Sequence, residues 1–67
     1  MKILLNGKIN EEFVSPLSVT ALLERLGLSG QPVLVELDEL ALRPRDYPDT
    51  MIGDGAKLEI IRVAAGG

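Results

Sequence analysis

The sequence predicts an α+β domain in two layers, one helix packed on one face of a mixed four- to five-stranded sheet. Three observations carry that prediction. Asn6-Gly7 stands between two apolar-containing runs, the strongest short signal for a two-residue hairpin, because both turn positions can take positive φ. Val19, Leu22, Leu23 and Leu26 recur at i, i+3, i+4 and i+7, which puts them on one helix face. The runs VLVEL at 33–37 and KLEIIRV at 57–63 are too short and too β-branched for helices. A single amphipathic helix suffices to cover one face of such a sheet.

Taken in order, the chain opens with the hairpin in KILLNGKINEEF, and Ser15-Pro16 breaks its pattern. Ser18 can then cap a helix, since a serine oxygen accepts from a free amide of the first turn. Gly27 should end that helix in the left-handed conformation, folding Leu28 back toward Leu23 in a Schellman closure. VLVEL is a strand and LALRP a shorter one. Pro44 and Pro48 make residues 43–49 irregular, and Gly53-Asp54-Gly55 turns the chain into the last strand. The first and last strands are expected to pair in parallel at the sheet centre, as in a β-grasp arrangement.

A chain of 67 residues makes one small domain, burying only about 60% of the surface its unfolded state exposes. We expect that domain to span 1–67, with a flexible C-terminal tail at 64–67. With 46% hydrophobic and 25% charged residues, the composition is that of a folded core. Phe13 and Tyr47 are its two aromatic residues, too few for the stacking platforms of single-stranded nucleic acid. Net charge is −3 and the pI about 4.7, whereas phosphate binding needs clustered Lys and Arg. Nucleic acid is therefore not an expected partner, and a basic protein face is.

The chain contains neither Cys nor His, which removes thiolate metal sites, Cys or His nucleophiles and the imidazole base of a serine nucleophile. Most enzyme chemistry is thereby excluded, and the chain is expected to bind no metal or cofactor itself. Only three apolar residues separate Lys2 from Asn6-Gly7, too few for a signal peptide or a membrane span. A cytoplasmic location with no membrane partner is expected.

Period-two alternation assigns strand residues to faces. Ile3, Leu5, Val33, Val35, Leu37, Leu58 and Ile60 fall on the helix-covered side. Leu4, Leu34, Ile61 and Val63 fall on the other, interleaved with Lys2, Glu36 and Glu59. Apolar patches of a few hundred Å² on small monomers are often functional, so these four residues are the candidate partner-docking surface. Scattered exposed apolar residues are also ordinary, and that reading stands beside the first.

The sequence closes on Val63-Ala64-Ala65-Gly66-Gly67. Glycine usage averages about 7%, so a given terminal pair is Gly-Gly by chance in about one sequence in 200. A cloning scar or a truncation is the trivial explanation. The chemical one is that a terminal carboxylate, ionised at neutral pH, can attack the α-phosphorus of ATP in another protein's active site and form an acyl-adenylate. Glycine carries no Cβ to collide with a narrow channel, and Ala64 and Ala65 keep the approach slim. At about 3.3–3.6 Å per extended residue, the segment 64–67 reaches on the order of 13 Å beyond the sheet.

VLVELD, PRDY, GDGAKLEII and the closing VAAGG resemble the ThiS family, sulfur carrier proteins of thiamine biosynthesis with a ubiquitin-like β-grasp fold. The resemblance spans nearly the whole chain. Where the family often has Asn-Gly after its third strand, this chain has Asp38-Glu39. One extra residue before Pro44 and one fewer between Arg45 and the glycine turn are the other departures, all in loops. The resemblance implies that the chain is not an enzyme but a co-substrate, and that a ThiF-like adenylyltransferase, using ATP and magnesium, activates the Gly67 carboxylate. Sulfur from a cysteine desulfurase persulfide would then convert it to a thiocarboxylate, and a ThiG-like thiazole synthase would take that sulfur. Lacking Cys, the chain offers the carbonyl of Gly67 as its chemically sensible attachment point.

Three other roles fit the same residues: delivery of sulfur to molybdopterin or cysteine synthesis, ubiquitin-like modification of lysines, and non-covalent binding through the sheet face. Arg45 and Arg62 read as solvated surface charges or as partner contacts. Asp46, Asp49 and Asp54 read as turn formers, and Tyr47 as a loop anchor packed on the core.

Overall fold

The computed structural model describes residues 1–64. Strands β1 (Ile3–Leu5) and β2 (Lys8–Asn10) form the predicted hairpin, with Leu4 opposite Ile9 and Leu5 opposite Lys8. Asn6 and Gly7 have φ of 49° and 80°, the paired left-handed conformations a type I′ turn demands. Asn6 does more than turn the chain. The Ile60 N–H donates to its Oδ1 at 2.7 Å, and its Nδ2 donates to the Ile60 carbonyl at 3.3 Å. A side-chain amide thus extends the parallel ladder beyond the point where β1 ends.

Helix α1 (Val19–Arg25) starts as its cap residue dictates, with the Ala21 N–H donating to Ser18 Oγ at 3.0 Å. It ends at Gly27, φ 74°. The Leu28 N–H donates to the Leu23 carbonyl at 2.8 Å and the Gly27 N–H to that of Glu24 at 3.1 Å, both bonds of a Schellman motif. Val19, Leu22 and Leu23 are buried, whereas Leu26, expected on the same face, is 37% exposed. It is the C-cap, at the open end of the helix, and Leu28, folded back by the turn at Gly27, packs against the core instead.

Strands β3 (Val33–Leu37), β4 (Leu40–Ala41) and β5 (Lys57–Arg62) complete a sheet ordered β2-β1-β5-β3-β4. The central pair β1–β5 is parallel and the rest antiparallel. On the helix side Ile3, Val35, Leu58 and Ile60 are buried with α1, and Leu5, Val33 and Leu37 pack at the rim, as alternation predicts.

The region expected to be irregular is instead a 3-10 helix, Pro44–Asp49. Pro44 suits its start, where no amide bond is needed and a fixed φ helps. The Asp46 N–H donates to the Arg43 carbonyl at 2.8 Å, and Thr50 Oγ1 donates to the Asp46 carbonyl at 2.7 Å. This helix buries Tyr47, whose hydroxyl lies 3.5 Å from the Val33 carbonyl. Desolvation raises its phenol above the ordinary 10.0, so it is a neutral anchor. Four buried residues come from loops: Phe13, Leu17, Ile52 and Ala56. Residues 17–19 and 50–52 are strapped together by Ile52 N–H to Leu17 carbonyl (2.8 Å) and Val19 N–H to Thr50 carbonyl (2.9 Å).

The β3–β4 turn uses Asp38 and Glu39 at φ 49° and 70°, again both left-handed. Asp38 Oδ1 accepts from the Lys57 N–H at 2.9 Å, tying this turn to β5 as Asn6 ties the other. Glu39 has no such compensation beyond an exposed 3.3 Å contact to Lys57 Nζ, a class of pair worth about 0–1 kcal/mol. A left-handed residue bearing a Cβ costs about 1–2 kcal/mol. Glu39→Gly is therefore expected to raise stability by about 1 kcal/mol in urea unfolding. A loss of stability would show that the Lys57 contact outweighs the strain.

Candidate functional site

Strand β5 joins the two parts of the candidate site, because its outward residues lie on the open sheet face and the chain runs from its end into residues 64–67, the expected tail. Pairing with β3 places Leu34 directly opposite Ile61 and continues past the strand, the Val63 N–H donating to the Pro32 carbonyl at 2.9 Å. Leu34, Ile61 and Val63 are 58%, 51% and 43% exposed. Leu4 is half-buried on β1 and registers with Lys57. It therefore sits four residues from Ile61 along β5, about 13 Å at strand rise. Leu34, Ile61 and Val63 lie together; Leu4 does not adjoin them.

Leu4 has another neighbour, missed in the sequence reading. Ile9, 65% exposed, registers opposite it on β2. The signal was available, since a two-residue turn at Asn6-Gly7 sets position 4 against position 9. The open face thus carries two apolar groups, Ile9–Leu4 and Leu34–Ile61–Val63, with Lys57 and Glu59 of β5 running between them.

At the root of the tail, Gln31, Pro32, Arg62, Val63 and Ala64 line an open cleft of about 430 Å³. Ala64 is exposed there. Ala65, Gly66 and Gly67, which complete the predicted tail and sulfur-attachment point, lie outside the described residues. Arg45 and Arg62 are exposed and make no ion pair among the described residues. The three loop aspartates are placed separately. Asp46 accepts from Arg43 Nε at 3.1 Å, and Asp54 Oδ1 accepts from the Lys2 N–H at 2.7 Å. Asp49 is exposed on the 3-10 helix. No group of three or more His, Cys, Asp or Glu converges as a metal site among the described residues, and no described helix is long and apolar enough to cross a membrane. The arrangement is suited to presenting a surface and a strand end to another protein.

A five-stranded mixed sheet with a parallel central pair and one crossover helix on one face defines a ubiquitin-like β-grasp domain. Comparison with known proteins narrows this. The model of the ThiS family matches residues 3–67. The crystal structure of the thiamine biosynthesis protein ThiS from Geobacter metallireducens superposes with a TM-score of 0.85 at 30% identity, covering all of both chains. A solution structure of a thiamine biosynthesis protein from the same organism gives 0.83 at 30% identity, over all of this chain and 88% of that one. A thiazole synthase from Paramagnetospirillum magneticum is 34% identical over 67 residues, all of this chain and 20% of that protein. This chain belongs to the ThiS family. It spans about a fifth of the length of the curated relative it matches.

Proposed function

We propose that this protein is a sulfur carrier for thiazole formation in thiamine biosynthesis, and a co-substrate of other enzymes. The observation that carries the reading is the family match over residues 3–67, Gly66 and Gly67 included, on a cysteine-free β-grasp chain. In the proposed sequence, a ThiF-like adenylyltransferase with ATP and magnesium joins AMP to the Gly67 carboxylate and releases pyrophosphate. A persulfide made by a cysteine desulfurase attacks the acyl carbon, a C–S bond forms and AMP leaves. A second thiol then cleaves the S–S bond, leaving the thiocarboxylate.

The acceptor is proposed to be a ThiG-like thiazole synthase. Support comes from the Paramagnetospirillum protein of that name, which contains within its own length a segment similar to this whole chain. Docking is assigned to the open sheet face: Leu4, Leu34, Ile61 and Val63, with Ile9 added. Leu4 and Ile9 lie to one side of β5 and Leu34 to the other, while Ile61 is on it and Val63 just beyond its end, so gripping the face would aim the proposed tail of Ala64, Ala65, Gly66 and Gly67.

Intact-mass analysis after incubation with adenylyltransferase, ATP, magnesium, desulfurase and cysteine tests this. The expected product is heavier by the difference between sulfur and oxygen, with the change confined to Gly67 on fragmentation. An unchanged mass from an enzyme system that loads its own carrier would overturn the proposal.

A further inference from the structure

The open sheet face is not uniformly apolar. Glu36 and Glu59 are directly opposite each other on β3 and β5. Both side chains point away from the helix, since Val35, Leu58 and Ile60 on either side of them are buried. Directly opposed residues have Cβ atoms about 4.5–5.5 Å apart, and like charges there are destabilising. Both glutamates are half-buried, which limits screening by salt.

No ion pair among the described residues relieves the repulsion. Across the sheet, the other partner of Glu36 is Ala41 on β4, which carries no charge. The cross-strand pair on one side of the glutamates is the apolar Leu34–Ile61. On the other side is Lys57, whose ammonium is held 3.3 Å from Glu39. Beyond Glu59 lies the Asn6 turn, its amide already committed to Ile60. Among the described residues no cation pairs with either carboxylate. Glu36, Asp38, Glu39 and Glu59 thus surround one lysine, and the face attracts a cation.

We infer that Glu36 and Glu59 receive an arginine side chain from the ThiF-like adenylyltransferase when it docks on this face. The inference rests on the docking reading above and adds the chemistry of the partner. A guanidinium is planar, permanently charged and forked, so it can bridge two carboxylates, which a lysine point charge does less well. Leu34 and Ile61 beside the pair exclude water from the contact, and ion pairs strengthen as local dielectric falls. The surrounding negative charge steers the approaching partner and fixes its register on the face.

The test uses the full chain and a ThiF-like adenylyltransferase as the binding probe, with Glu36→Gln, Glu59→Gln, the double variant and Ile61→Ser. Both glutamine replacements are nearly isosteric. Each is expected to raise the unfolding midpoint of the isolated carrier, because the repulsion is gone. The double variant is also expected to weaken binding by about ten-fold or more and to flatten its dependence on salt. Stability gained with affinity and salt slope unchanged would overturn the arginine inference. If Ile61→Ser also binds like the parent, the docking reading itself falls. If Ile61→Ser weakens binding while the glutamine variants do not, docking survives and the arginine contact is refuted.

Discussion

A chain lacking Gly66 and Gly67 is expected to take up no sulfur while melting at the same temperature as the full chain. The last bond to the sheet among the described residues is from the Val63 N–H to Pro32, so the removed residues follow the sheet's last described tie. The shortened chain still ends in a carboxylate, on Ala65, which makes the variant informative. Its reach is shorter by about 7 Å, and a Cβ is added beside the reacting carbon. Displacement of a reacting atom by about 1 Å can cost 100-fold in rate, so a retreat several times larger should put loading below detection. Pyrophosphate release with the adenylyltransferase and intact mass after sulfur transfer are the two readouts. Normal loading of the shortened chain would show that Gly67 is not the acceptor.

Leu58→Ala is expected to leave much of the protein unfolded at ambient temperature. Leu58 is fully buried on the central strand, between the β1 and β3 ladders and beneath α1. Truncating a buried leucine costs about 2–5 kcal/mol, depending on how far the cavity collapses. A domain of this size has roughly 3–10 kcal/mol in total at 0.05–0.15 per residue. One methyl-to-isobutyl difference is therefore comparable with the whole margin. Ile61→Ala, one residue beyond the next buried position on the same strand but exposed on the other face, is expected to change stability by only about 0.5 kcal/mol. Chemical denaturation of the two variants compares the faces directly; equal losses would refute the assignment of Ile61 to the open side.

Local signals account for most of what was legible. Asn6-Gly7, Ser18 and Gly27 each specify their own turn or cap through φ or a side-chain oxygen, and each appears where expected. Alternation along Val33–Leu37 and Lys57–Arg62 sorts the inner and outer residues because one face is buried and a one-residue slip would invert it. The illegible parts depend on distant partners. Leu17 and Ile52 are buried through a strap between segments more than thirty positions apart, for which neither has a periodic pattern. The 3-10 helix was hidden because two prolines read as breakers, although Pro44 stands at its start, where no amide bond is needed, and Pro48 is accommodated inside it. At the site, Leu34 and Ile61 could be placed on one face, but their direct opposition, and that of Glu36 and Glu59, needed the β3–β5 register. The reading of the tail rests on composition and chemistry alone, and Ala65, Gly66 and Gly67 lie outside the described residues.

The middle position of β5 has a consequence for synthesis on the ribosome. Every pairing that unites the N-terminal hairpin with β3 and β4 passes through β5, which follows all four of them in the chain. Until it emerges from the exit tunnel, the nascent chain holds two unconnected sheet fragments and exposed apolar side chains. A chain cut short before β5 is therefore expected to stay unfolded, its hairpin and its β3–β4 pair each left without the strand that joins them.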